Sequence, residues 1–177
     1  MSEPCPLEVF VPEPTWQEVA VNRGTDFSPR FVSGDPRSER LRVRYFARES
    51  DHRLFAKVWF GPGTQGPPGH AHGGSISALL DEAMGFAAWV AGHMALAAQL
   101  TINFRRMVPV GVLATCEAWV DEVDGRKITT RAKLFGPDGD NYGDGSALFM
   151  AVRPEKLGLA GISADQAFAR DMESPPK

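Results

Sequence analysis

Residues 66–92 read GPPGHAHGGSISALLDEAMGFAAWVAG. A loop of Gly, Pro and His opens at Gly73 into a run that carries only two ionisable side chains as far as Ala91, the adjacent Asp81 and Glu82. Ile76, Leu79, Leu80, Ala83, Met84, Phe86, Ala87, Trp89 and Val90 cover most of a helical circumference, and a helix that is apolar nearly all round is a buried one. Two mid-span carboxylates and the flanking glycines argue against a lipid-crossing segment. The stretch therefore reads as a core helix wrapped by a sheet.

On both sides of this helix the hydrophobic period changes to two. Leu41, Val43, Tyr45 and Ala47 alternate with Arg42, Arg44, Phe46 and Arg48, and Leu54, Ala56, Val58 and Phe60 repeat the pattern after a polar turn at Glu49–Arg53, which predicts a hairpin. After Gly92, Met94, Leu96, Ala98, Leu100, Ile102 and Phe104 are expected on one strand face, with Ala95, Ala97, Gln99, Thr101 and Asn103 on the other. Strands follow over Leu113–Glu122, Ile128–Leu134 and Ser146–Val152. Asp124-Gly125 is expected to supply the two positive-φ positions of a tight hairpin, and Gly136–Gly139 forms another turn. The sum is an α+β domain, an antiparallel sheet of about six strands around one long helix. It occupies residues 39–154. Residues 1–38 read as an N-terminal arm packed on the domain, with a short helical candidate at Thr15–Val21. Residues 155–177 read as a C-terminal extension with a short helix capped at Ser163-Ala-Asp-Gln166.

Composition narrows the function classes. The 177 residues are 43% hydrophobic, enough for one domain with a real core. A net charge of -3 and a pI near 5.8, with dispersed Lys and Arg, offer nucleic acid no electrostatic footprint. Cys5 and Cys116 lack metal spacing and make no disulfide framework. The start MSEPCPLEVFVPEP does not resemble a signal peptide. A cytoplasmic protein without a membrane span is expected.

Three motifs meet at the central loop. Gly61-Pro-Gly-Thr-Gln-Gly66 matches the spacing of a dinucleotide fingerprint, but Pro67-Pro68 blocks the helix that such a fingerprint needs, so no nicotinamide or flavin binding is expected. His70-Ala-His72, with Asp81, has too few ligands for a metal site, and none is expected. The third motif joins Gly73, Gly74 and Asp81. The glycines sit at a helix start, where unpaired N–H groups and the dipole favour negative charge, an oxyanion hole in outline. Asp81 lies in apolar surroundings that raise a carboxylate pKa and suit it to act as a base or nucleophile. Glu82 is turned about 100° away from it and is assigned to structure.

Gly73 and Asp81 are eight residues apart, roughly 12 Å along one helix, so one carbonyl cannot touch both. If both serve one site, the second comes from another copy of the chain. Two antiparallel helices about a two-fold axis would make two such sites. A homodimer or a dimer of dimers is expected.

The run HGGSISALLDEAMG, preceded by GPPGHA and followed by the strand ending in NFRRMVPVG, resembles the hotdog-fold acyl-CoA thioesterases, in the branch with an HGG loop and a helix aspartate. The resemblance covers roughly Leu41 to Pro154. It implies a sheet wrapped around the central helix, dimers whose sheets join edge to edge, and hydrolysis of an acyl thioester. By position, Gly73 would donate its N–H to the thioester oxygen, His72 would shape the loop beside it, and the partner's Asp81 would act as nucleophile or general base. Ala97 stands where relatives often carry Ser or Thr, and Gly66 lies near a loop Asn of some. Thr101 or Gln99, expected on the same strand face as Ala97, would be the substitutes.

A thioester needs little acid help to expel its thiolate, so one carboxylate and an oxyanion hole suffice without a separate cofactor. Coenzyme A enters only as part of the substrate. Arg105, Arg106, Arg126 and Lys127 lie near strand ends and could meet its phosphates, and Met84, Phe86 and Trp89 could line an acyl pocket. Two other classes fit the same architecture. One is a hydratase or dehydratase that pairs His72 with Asp81 or Glu82, and the other is a non-catalytic acyl-CoA binder.

Overall fold

The computed structural model describes residues 5–19, 31–33, 35 and 37–157. One antiparallel sheet contains strands β1 (Trp16–Val19), β2 (Leu41–Arg48), β3 (Arg53–Phe60), β4 (Ala95–Phe104), β5 (Leu113–Asp124), β6 (Lys127–Phe135) and β7 (Asn141–Ala151). Their order across the sheet is β1-β2-β3-β5-β6-β7-β4. The single α-helix, α1 (Gly73–Val90), lies in the curl of this sheet and contacts β3 to β7.

In β3 the alternation read from the sequence is the packing observed, and β5 and β6 pack in the same way. Leu54, Ala56, Val58 and Phe60 of β3, Ala114, Cys116 and Ala118 of β5, and Ile128, Ala132 and Leu134 of β6 all point at the helix and are buried. Leu79, Leu80, Met84 and Phe86 of α1 meet them. Full burial of each such side chain contributes about 1.5–3 kcal/mol, so the helix is held down well enough to carry a poorly solvated carboxylate.

Four expectations about elements need correction. The described part of the helical candidate Thr15–Val21 is not helical: Trp16–Val19 is an edge strand paired with Tyr45–Arg48. Tertiary packing overrides the local signal there, because Trp16 stacks on Phe55 at 4.3 Å and, with Phe10 and Phe46, builds a second aromatic core on the sheet face away from the helix. Phe46 is therefore buried although it shares a strand face with the outward arginines. Strand β7 begins at Asn141 instead of Ser146. Its glycines look like a loop in sequence, but a Cβ on Gly143 would come 3.0 Å from Asn103 O and one on Gly145 3.2 Å from Thr101 O, so the close approach of the β4 backbone favours glycine at both. In the β5–β6 hairpin Asp124 pairs with Lys127, and Gly125 alone of the turn has positive φ. The capping-box helix at Ser163 lies outside the described residues.

The fourth correction concerns β4. The register shifts between Ala97 and Gln99, where Ala98 forms a bulge against β7. Directly paired residues share a sheet face, so Ala97, opposite Phe149, and Leu100, Ile102 and Phe104, opposite Ala147, Gly145 and Gly143, face the helix. Gln99 and Thr101 are turned to the far face with Leu148 and Ser146. One extra residue has reversed the expected alternation.

Candidate active site

The loop before α1 is tied down by its own backbone. Ala71 N–H bonds Val108 O at 2.8 Å, His72 N–H bonds Thr64 O at 2.7 Å, and Val110 N–H bonds Gly69 O at 2.9 Å. The chain thus enters the helix pinned to the segment that follows β4. His72 is the N-cap, in extended conformation (φ -66, ψ 139), and its Nδ1 accepts the Gly74 N–H at 2.9 Å. Ser75 N–H bonds His72 O at 2.9 Å. Of the first three helical amides, two are spoken for, and the Gly73 N–H has no acceptor among the described residues. Gly74, expected as an oxyanion donor, is instead the partner of the cap, and the Gly73 amide is the one left open.

Eight residues further along the same helix, Asp81 is half-buried and has no hydrogen-bond or ion-pair partner among the described residues. Burial pushes its carboxyl above the usual carboxylate range. Its neighbour has the opposite environment. Glu82 Oε1 accepts a 2.8 Å hydrogen bond from the hydroxyl of Tyr45, a buried residue on β2 that is also packed edge-on against Phe86. One carboxylate is thus committed to joining helix and sheet while the other is free. A His72–Glu82 acid–base pair does not form within one chain, since ten residues of helix separate them by about 15 Å.

The basic residues fall into two groups. Arg105 and Arg106 follow β4 near the helix N-terminus, but Arg105 Nε bonds Asp144 Oδ2 at 2.7 Å, with Asn103 on the same carboxylate, and Arg106 bonds Asp140. The Arg105 guanidinium holds the Asp144 carboxyl below its ordinary value. Two candidate phosphate cations are thus already neutralised by nearby acids. Arg126, in the β5–β6 turn, and Lys127, the first residue of β6, lie at the other end of α1, where Arg126 bonds the end of β7 at Ala151. About 27 Å of helix separates that end from Gly73, so the four cations do not surround one ligand within a chain. Met84, Phe86 and Trp89 are buried in the core, with Trp89 Nε1 bonded to Ala95 O at 3.2 Å, and do not line an open acyl pocket.

His70 Nδ1 sits 2.9 Å from Pro68 O, and among the described residues no three of His, Cys, Asp or Glu are grouped to hold a metal ion. In the fingerprint-like motif Gly61 and Gly66 flank a 3-10 turn at Pro62–Thr64 that contains Gly63, and no long helix starts there. Cys5 and Cys116 are buried free thiols. No helix among the described residues is long and apolar enough to cross a membrane.

Residues 68–142, which hold the HGG-capped helix with its free amide at Gly73, the unpaired Asp81 and strands β4 to β6 of the enclosing sheet, match the family model of the thioesterase superfamily. The fold is the hotdog fold. Over 97 residues the chain is 33% identical to acyl-coenzyme A thioesterase THEM5 of Mus musculus, covering 54% of this chain and 39% of that protein. It is 27% identical over 110 residues to acyl-coenzyme A thioesterase THEM4 of Xenopus laevis, covering 62% of this chain and 50% of that one. A solved thioesterase superfamily protein is similar with a TM-score of 0.58 and 34% identity, over 62% of this chain and 53% of that chain. The chain thus spans about half the length of these curated relatives or less. Within the hotdog domain, the features that the sequence did not announce are the bulge at Ala98, the Tyr45–Glu82 bond and the ring of Phe104 against Gly73.

Proposed function

We propose that this chain hydrolyses acyl-CoA thioesters to free acid and thiol. The observation that carries the reading is the unpaired Asp81 on the same helix as the free amide of Gly73. The thioester oxygen would accept the Gly73 N–H, and Asp81 of a second copy would either take a proton from the attacking water or attack the carbonyl carbon itself. The carbon–sulfur bond then breaks and the thiolate leaves, a good enough leaving group to need no metal or redox cofactor. With Thr101 and Gln99 on the far face of β4, no hydroxyl of that strand substitutes for the one missing at Ala97. Asp81 carries the chemistry alone on that side. Two cysteines that form no disulfide framework suit a cytoplasmic setting.

The composite site requires a dimer, and β4 supplies the means. It is a ten-residue strand at the sheet edge, and Leu96 (47% exposed), Leu100 (38%) and Phe104 (55%) are open to solvent. A long apolar edge strand is a template for pairing with another strand. Antiparallel pairing of two β4 edges about a two-fold axis would set the two helices antiparallel and bring Gly73 of one near Asp81 of the other.

A thiol-release assay over a panel of acyl-CoA esters tests the activity. Release of free thiol is expected, and silence across the panel, or a change in enoyl absorbance without thiol, would overturn the reading. Leu100→Lys places like charges at the shared edge. In sedimentation at micromolar concentration it should shift dimer to monomer, with at least a roughly tenfold loss of turnover. A wild-type monomer with full turnover would refute the composite site.

A further inference from the structure

We propose that Phe104 is a specificity-determining residue, whose ring forms the wall of the thioester site beside Gly73 and limits how much bulk the substrate carries next to its carbonyl. This assignment rests on the hydrolase reading above. The register of β4 places Phe104 opposite Gly143, on the helix-facing side of the sheet. A Cβ built on Gly73 would come 3.1 Å from Phe104 Cζ and 3.3 Å from Cε1, so the tip of the ring lies against the backbone that carries the free amide. With 55% of its surface open, the ring touches Gly73 on one side and faces open space on the other.

The strand end that carries Phe104 is held to β7 both before and after the ring. Asn103 Nδ2 bonds Asp144 at 2.8 Å, and the N–H groups of Arg105 and Arg106 both bond Tyr142 O, at 2.9 and 3.2 Å. A Cβ on Gly143 would meet Asn103 O at 3.0 Å, so the two strands approach closely there. Phe104 is therefore fixed in place at its backbone, and only its χ angles can adapt to a ligand.

A thioester oxygen accepting the Gly73 N–H lies about 3 Å from that nitrogen. The sulfur and the first acyl carbon are both attached to the same carbonyl carbon, so one of them must pass beside the ring tip. A CH₂ at that position packs on the ring; a quaternary or aryl carbon fills the volume the ring occupies. Discrimination by such a contact lies between about tenfold and 200-fold for the removal or addition of a small group. If Phe104 were only a packing residue, its truncation would scale all substrates alike.

The test compares kcat/KM for hexanoyl-CoA, pivaloyl-CoA and benzoyl-CoA in wild type, Phe104→Ala and Phe104→Leu. The wild type should favour hexanoyl-CoA, and the ratio of pivaloyl-CoA or benzoyl-CoA to hexanoyl-CoA should rise about tenfold or more in Phe104→Ala and less in Phe104→Leu. Melting curves accompany each variant. If Phe104→Ala is unfolded at the assay temperature, Phe104→Leu decides the result. Ratios unchanged in the folded variants, with an active wild type, would overturn this assignment alone, as would a wild type equally active on all three esters. A wild type silent on every ester would overturn the hydrolase reading and this assignment with it.

Discussion

Asp81→Asn is expected to slow thiol release by about 10²-fold or more with little change in KM, and to leave the melting temperature at neutral pH unchanged or raised. The amide keeps shape and hydrogen-bonding capacity and removes only the anion. Stability moves in the opposite direction from activity because burial raises the Asp81 carboxyl above its unfolded value. A raised carboxylate binds its proton more tightly in the folded than in the unfolded protein. Folding then takes up a proton in the window between the two pKa values, and stability falls as pH rises through that window. At neutral pH the charged, half-buried Asp81 weighs against folding, and Asn removes that cost.

The pH profile follows from the same shift. Turnover requires the carboxylate, so wild-type kcat/KM should fall as pH drops through a value above the ordinary aspartate pKa. Glu82→Gln is the control on the adjacent position. Gln keeps an oxygen for the Tyr45 hydroxyl, so its effect on both activity and melting should be small. Wild-type activity in Asp81→Asn would remove Asp81 from the mechanism.

Gly73→Pro should cost a further large factor, about 10²–10³ in kcat, by deleting the one first-turn amide left without a partner. Proline lacks that N–H and suits the first helical position, and His72 already has the extended ψ of 139 that a residue before proline prefers. The ring would approach Phe104, which must give by a few tenths of an ångström. Folding should survive, as melting curves can check.

Mixing the two inactive variants then tests the shared site. In a heterodimer of Asp81→Asn and Gly73→Pro, one site draws both its defects from the mutated positions, and the other draws intact Gly73 and intact Asp81 from opposite chains. After subunit exchange at equal ratio, about a quarter of wild-type activity should return. No recovery despite demonstrated exchange would place Gly73 and Asp81 in separate sites.

The parts of the site that were legible in the sequence are those governed by short-range geometry. The placement of His72 at the cap, Gly73 at the first turn and Asp81 two turns on depends only on where the helix begins and on 3.6 residues per turn. The different environments of Asp81 and Glu82 follow from the same wheel, and Tyr45 supplies the partner that the wheel predicts for Glu82 without naming it. The basic residues were less legible, because their acids come from β7 and the turn before it: Asp144 and Asp140 are 39 and 34 positions from Arg105 and Arg106.

The sequence by itself determined the buried helix, the inward faces of β2 and β3, and the distance that keeps Gly73 and Asp81 of one chain apart. Each is a consequence of local periodicity, and the core rewards that periodicity by burial. Only the tertiary structure decided which way Thr101 points, whether residues 16–19 coil or pair, which of two glycine amides stays free and what stands beside it. A bulge is one unpaired residue that shows only against its partner strand β7. Trp16 adopts a strand because Phe46 and Phe55 offer it a surface. The Gly74 amide is taken by a side-chain nitrogen of the cap, and Phe104 reaches Gly73 because β4 crosses the helix start, contacts that depend on side-chain direction and chain path as much as on residue order.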